Sequence, residues 1–220
     1  MKSVIFDLDG TLVDSVAAIC DVTNVLLDEL SMPAMSVEEA RQYIGNGAEV
    51  FLQRTLSARE ALIDPDQLAP HLQRFLKLYA EAPGDANRPF DGVDGALNAL
   101  IEEGWTIGLC TNKPMAPTLA VIEALGWKNL FQTVIAGDSL PQRKPDPAPL
   151  IEAGRRLRAQ EPIFVGDSEV DAETASAARL PFVLFTEGYR KSPVESLRHT
   201  AAFSQFGNLL QVLNAVAHNA

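Results

Sequence analysis

The chain has 220 residues, enough to bury a full core and carry a second small unit, and its 47% hydrophobic and 21% charged content is that of an ordinary globular protein. A formal net charge of −11 argues against a nucleic-acid backbone or an anionic membrane surface as partner, and no apolar run is long enough to span a bilayer. Cys20 and Cys110 sit in apolar or helical contexts and read as reduced, buried residues; with only scattered histidines beside them, a structural zinc site is not expected.

Met1-Lys2 leads into a strand without a signal-peptide pattern, so a cytoplasmic protein is expected. Ser3 to Phe6 is a short apolar, β-branched run that predicts a buried strand, and it ends at Asp7-Leu8-Asp9-Gly10. Ser15 is the expected N-cap of a helix carrying Val16, Ile19, Val22, Leu26 and Leu30 at helical spacing. Ser36-Val37-Glu38-Glu39 reads as a capping box opening a helix that ends near Ile44. Gly45-Asn46-Gly47 interrupts, and Ala48 to Leu56 resumes. Asp64-Pro65 is expected to start a further helix with Leu68, Leu72, Phe75, Leu76 and Tyr79 on its apolar side, stopping before Pro83-Gly84. The basic residues of this region, Arg41, Arg54, Arg59 and Lys77, read mostly as solvated helix faces.

From Arg88 the pattern changes to strands alternating with helices. Pro89 to Gly92 reads as a linker. Helices are expected over 93–103, 117–125, 148–157, 171–178 and 206–217, and strands over 105–110, 131–136, 162–165 and 182–185. That alternation predicts an α/β fold, a parallel doubly wound (Rossmann-like) sheet with an inserted helical cap. Residues 1–14 and 83–220 would form the α/β core and 15–82 the cap.

Asp7 and Asp9 lie two apart on extended backbone, so both address one point, and Gly10 lets the chain turn. Uncompensated, two close carboxylates raise one pKa strongly; a divalent cation relieves this, and all-oxygen ligation suits Mg²⁺. Standing alone, an Asp-x-Asp-Gly reads as a solvated turn after a strand. Downstream, however, the second strand ends at Thr111-Asn112-Lys113, Lys144 opens the helix before the fourth strand, and that strand ends at Gly166-Asp167 with Asp171 beyond. A parallel sheet gathers all these carboxyl ends on one edge. There a carboxylate can attack phosphorus, a metal can neutralise charge, and a hydroxyl, backbone N–H groups and a lysine can cradle phosphate oxygens. Asp171 also reads as a first-turn acid favoured by the helix dipole.

These residues resemble the haloacid dehalogenase-like hydrolase superfamily in its phosphatase branch. Its motifs stand in order as Asp7-Leu8-Asp9-Gly10-Thr11, Thr111-Asn112, Lys144-Pro145 and Gly166-Asp167-Ser168-Glu169-Val170-Asp171, and the likeness covers nearly the whole chain. Within it, Ile44-Gly45-Asn46-Gly47-Ala48, Thr111-Asn112-Lys113-Pro114 and Lys144-Pro145-Asp146-Pro147 resemble the phosphoglycolate phosphatases. The resemblance implies that Asp7 is the nucleophile and forms an aspartyl-phosphate, and that Asp9 is the general acid and then the base. It implies Mg²⁺ bound by the Asp7 carboxylate, the Asp9 carbonyl and Asp167, with Asp171 in or beside the metal shell and helping to hold Lys144. It implies phosphate held by Thr111 and the Asn112 backbone. A carboxylate at position 9 matches the phosphatases rather than the dehalogenases of that superfamily.

The expected substrate is a small phosphate ester, 2-phosphoglycolate, with Lys113 or the Gly45-Asn46-Gly47 loop reading its remainder; a plain helix–helix turn is the other reading of that loop. No nucleic-acid or membrane partner is expected, and the chain would be a monomer or homodimer. The alternatives are a phosphatase for another small metabolite, a β-phosphoglucomutase-type phosphomutase and, from a different class, a receiver-like phospho-signalling module. The receiver pattern lacks support here because no lone Asp at the third strand sits in the required context and a large cap interrupts the first crossover.

Overall fold

The computed structural model of the chain describes residues 2–59, 65–82 and 86–218. In chain order the strands are β1 (Ser3–Phe6), β2 (Val13–Asp14), β3 (Arg88–Pro89), β4 (Thr106–Cys110), β5 (Thr133–Ile135), β6 (Ile163–Gly166), β7 (Phe182–Phe185) and β8 (Ala201–Phe203). The helices are α1 (Val16–Glu29), α2 (Val37–Tyr43), α3 (Ala48–Ser57), α4 (Pro65–Glu81), α5 (Val93–Glu102), α6 (Met115–Ala124), α7 (Ala148–Leu157), α8 (Glu169–Ala178) and α9 (Leu209–His218).

β1 is buried at every residue because both its edges and both its faces are covered. It pairs in parallel with β4 on one side and β6 on the other, with Phe6 opposite Leu109 and Val165. The sheet order is β5-β4-β1-β6-β7-β8, all parallel. The side-chain period of two sends Val4 and Phe6 to one face, against α5, α6 and α9, and Ile5 to the other, against α7 and α8. Both faces are therefore wound, as the alternating pattern predicted. The chain first builds outward through β4 and β5, then returns to the far side of β1 with β6. The β1/β6 boundary is thus the topological switch point, where open α/β sheets place their ligands.

Helices α1 to α4 form a separate bundle with its own apolar cluster, including Leu26, Leu27, Leu52, Leu56 and Phe75. Cys20 and Cys110 are both free thiols and buried, as expected. Tyr189 is the residue from the sheet unit that joins the bundle's cluster.

Several expectations need correction. The sheet has a sixth strand, β8, where none was expected, and it pairs with β7. β2 and β3 form a short antiparallel pair, with Asp14 opposite Arg88, where a linker was expected over 89–92. Ser15 does not cap α1 through its side chain; among the described residues its hydroxyl has no hydrogen-bond partner. The Tyr189 hydroxyl does that work, accepting from Ser15 N–H at 2.8 Å and Val16 N–H at 3.1 Å while donating to Asp14 Oδ1 at 2.7 Å. At the start of α2, Ser36 Oγ accepts from Glu39 N–H as the capping pattern predicts, and the Glu39 carboxylate also pairs with Arg59. Arg59 is not solvated: its side chain is 5% exposed and also donates to the Pro33 and Thr55 carbonyls. Arg54 donates to the Tyr43 carbonyl and Arg41 lies over the Tyr189 ring, so only Lys77 keeps the solvated role. The expected N-cap Asp64 and the stop at Pro83-Gly84 lie outside the described residues.

Candidate active site

Each acidic group arrives at the sheet edge from a strand end. Asp7 directly extends β1, its N–H donating to the Val165 carbonyl at 2.9 Å. The Leu8 carbonyl then accepts from the N–H groups of Thr11, Leu12 and Val13, which folds the loop tightly back on itself. Gly10 makes that turn at φ +88°, and a Cβ there would lie 2.5 Å from Asp167 Oδ2, so the position requires glycine on both conformational and steric grounds. Asp167 extends β6. It accepts from Thr11 Oγ1 at 2.8 Å and from Tyr189 N–H at 2.6 Å.

Asp171 stands at the third position of α8 in a capping box with Ser168. Its Oδ2 accepts from Ser168 Oγ at 2.6 Å and from the N–H groups of Asp167 and Ser168, each at 3.2 Å. Its Oδ1 accepts from Lys144 Nζ at 2.6 Å. Both readings of Asp171 therefore hold at once: it is a helix-start acid, and it anchors the buried lysine. Both its oxygens are engaged within the protein.

Lys144 Nζ also lies 2.9 Å from Asp7 Oδ1, so the one ammonium pairs with both carboxylates. Burial by itself would lower the Lys144 pKa, but Asp171 and Asp7 outweigh it and the ammonium is held firmly protonated. Burial pushes the Asp7 carboxyl up to about 7, with Lys144 pulling against it and Asp171 adding to it. Asp167 is raised for the same reasons, burial first and then its two acidic neighbours.

Asp7, Asp167 and Asp171 each offer an oxygen within 4.8 Å of the others'. Lys144 pairs with Asp7 and Asp171, so carboxylates remain in excess. Burial first, with neighbouring carboxylates adding to it, raises the proton affinities of Asp7 and Asp167. An all-oxygen donor set of this kind fits a hard divalent cation.

The predicted phosphate-binding residues lie beside this cluster. Thr111 extends β4, its N–H donating to the Ile135 carbonyl at 2.9 Å. The Asn112 side chain is engaged structurally: Nδ2 donates to the Lys144 carbonyl at 2.9 Å and the Gly45 carbonyl at 3.1 Å, and Oδ1 accepts from Lys144 N–H at 3.0 Å. Lys113 Nζ donates to Asp9 Oδ1 at 3.0 Å and to the Tyr79 hydroxyl. Gly45 and Gly47 both adopt positive φ, +118° and +87°, and Gly47 precedes α3 as its N-cap.

Two cavities meet at the aspartates. A small one of about 50 Å³ is lined by Asp7, Asp9, Thr111, Asn112 and Lys113 from the sheet unit and by Gly45, Gly47, Phe75 and Tyr79 from the bundle. A wider one of about 300 Å³ lies on the Asp167 side, with Asp7 and Asp9 again in its wall and Asn46 and Tyr189 across it. Every residue singled out from the sequence thus borders one of these spaces or, as with Lys144 and Asp171, braces one that does.

Three residues at this site were not singled out from the sequence. Thr11 was part of the first motif, which was the signal for it. Tyr189 and Tyr79 carried none, since each acts through a contact distant in the chain.

The pattern of the haloacid dehalogenase-like hydrolase family matches residues 4–185. The chain is 44% identical to a phosphoglycolate phosphatase of Cereibacter sphaeroides over 213 residues, covering 97% of this chain and 98% of that protein. It is 42% identical to a phosphoglycolate phosphatase of Rhodobacter capsulatus over 208 residues, 94% of each. A crystal structure from Haemophilus somnus 129pt, described as a predicted phosphoglycolate phosphatase, superposes with a TM-score of 0.89 at 30% identity, covering 96% of this chain and 97% of that one.

Proposed function

The chain belongs to the haloacid dehalogenase-like hydrolase family, and on that premise we propose that it is a magnesium-dependent phosphatase cleaving 2-phosphoglycolate to glycolate and phosphate. The observation that carries this reading is that Asp7 and the buried ammonium of Lys113 line one small cavity. The phosphate end would sit at Asp7, where the two cavities join. Only about 50 Å³, room on the order of a few water molecules, remains on the Lys113 side for the rest of the substrate. A short carboxylate suits that space in size and charge.

In this reading Asp7 attacks phosphorus, the bond from phosphorus to the glycolate oxygen breaks, and Asp9 gives that oxygen its proton. Asp9 then takes a proton from water, the water oxygen attacks the aspartyl-phosphate phosphorus, and phosphate leaves with Asp7 restored. Thr111 and the Asn112 backbone would hold the phosphate oxygens, with Lys144 offsetting developing charge. Magnesium held by Asp7, the Asp9 carbonyl and Asp167 would supply charge neutralisation between carboxylates and phosphate. Asp171 would sit in or beside that metal's shell and hold Lys144 through its Oδ1.

We further propose that residues 15–82 act as a cap over a core of 1–14 and 83–220, opening and closing over the site. Contacts across the boundary support this: Asn112 with Gly45, Lys113 with Tyr79, and Arg41 over Tyr189. The Gly45-Asn46-Gly47 loop would close against the substrate. On the same reading the enzyme is a cytoplasmic monomer or homodimer, without nucleic-acid or membrane partners. Among the described residues no helix is long and apolar enough to cross a membrane. Phosphate release across a panel of phosphorylated metabolites tests the substrate assignment. It should be highest kcat/KM for 2-phosphoglycolate; a larger value for a sugar phosphate, or isomerisation without phosphate release, would replace it.

A further inference from the structure

Tyr79 comes from α4 of the bundle, yet its hydroxyl meets the ammonium of Lys113 in the β4–α6 loop. Lys113 Nζ lies 4.3 Å from the centroid of the Tyr79 ring, which packs 5.6 Å from Phe75. Both residues are buried, Tyr79 at 6% exposure and Lys113 at 4%, and both line the small cavity.

Counting protons shows what this pair still offers. An ammonium has three N–H groups. Asp9 and Tyr79 account for two, leaving one unspent. The phenol oxygen accepts from Lys113, and among the described residues no acceptor lies on its O–H. Burial, and then the nearby charge of Asp9, hold this phenol well above its ordinary pKa, so it keeps that proton. The other side chains that the bundle contributes to the cavity wall include Ile19, Ile44, Phe51 and Phe75, none of which carries a hydrogen-bond acceptor. Unsatisfied buried donors are costly. A carboxylate has two oxygens and takes both donors at once, one of them charge-assisted.

We propose that Tyr79 is a specificity-determining residue: its hydroxyl and the Lys113 ammonium together bind the carboxylate of the substrate. This rests on the reading that the substrate is 2-phosphoglycolate, and it assigns half of the recognition to the bundle. Preference for carboxylate-bearing esters then requires the bundle to be docked on the sheet unit, since neither donor alone completes the pair.

The test compares wild type and Tyr79→Phe on 2-phosphoglycolate and on 2-hydroxyethyl phosphate, its analogue with a neutral hydroxymethyl group in place of the carboxylate. Tyr79→Phe keeps the ring against Phe75 and over Lys113 and removes only the donor. The ratio of kcat/KM for the acid over the neutral ester should fall about tenfold or more, the scale of one hydrogen bond to a charged group, and most of the change should be in KM. A wild-type preference that survives undiminished in Tyr79→Phe, or equal losses on both esters, would overturn this inference alone. A wild type that handles both esters alike would overturn the substrate reading and this inference with it.

Discussion

Lys144 Nζ lies 2.6 Å from Asp171 Oδ1, and both side chains are almost completely buried. Asp171 in turn is fixed by Ser168 and two backbone N–H groups, so the lysine is anchored before it reaches Asp7. Removing one partner of a buried pair leaves an uncompensated charge and costs about 3–5 kcal/mol. Lys144→Met should therefore lose stability on that scale in urea unfolding without metal, and magnesium should restore part of it. A loss under about 1 kcal/mol would mean that the cluster does not depend on this cation.

Metal and pH should act on stability together. Burial raises the Asp7 carboxyl from 3.8 to about 7, so the folded protein binds that proton more tightly than the unfolded chain. Stability of the metal-free protein then falls as pH rises from about 4 to about 7, and levels off above. A cation needs the ionised carboxylates, so its binding competes with protons at low pH. The gain in Tm on adding magnesium should be larger near pH 8 than near pH 5. An equal or larger gain near pH 5 would contradict the arrangement.

The parts legible in the sequence were those encoded locally. Asp7, Thr111 and Asp167 each follow an apolar run that could only be a buried strand, and a parallel sheet brings such ends together whatever the details. The remaining features are encoded at long range. β8 is three residues, Ala201–Phe203, after a polar stretch, and only β7 beside it makes it a strand. Tyr189 is unremarkable in its own neighbourhood, yet it caps α1 from 174 residues away and orients Asp167 through its N–H. Arg59 reads as a surface charge until Glu39 and the Pro33 carbonyl enclose it. Tyr79 sits on the apolar stripe of α4 like any core aromatic, and only the docked bundle brings Lys113 to its hydroxyl.

Asp9 should matter for proton transfer rather than for metal binding. A positioned general acid–base contributes roughly 10²–10⁴-fold to rate. Asp9→Asn should lose activity in that range while magnesium still raises its Tm, because the metal contact assigned to this position is the backbone carbonyl. Near-normal turnover in this variant would remove Asp9 from the chemistry; loss of the magnesium effect would give its side chain a role in holding metal.

The proposed mechanism requires that Asp7 itself attacks the phosphate of 2-phosphoglycolate. The most direct measurement is steady-state phosphate release from that ester, with magnesium, by wild type and by Asp7→Asn side by side, each confirmed as folded by its thermal melt. Wild type should sustain release, and Asp7→Asn should show none above background. Sustained release by folded Asp7→Asn would contradict that mechanism and assign the attack to water.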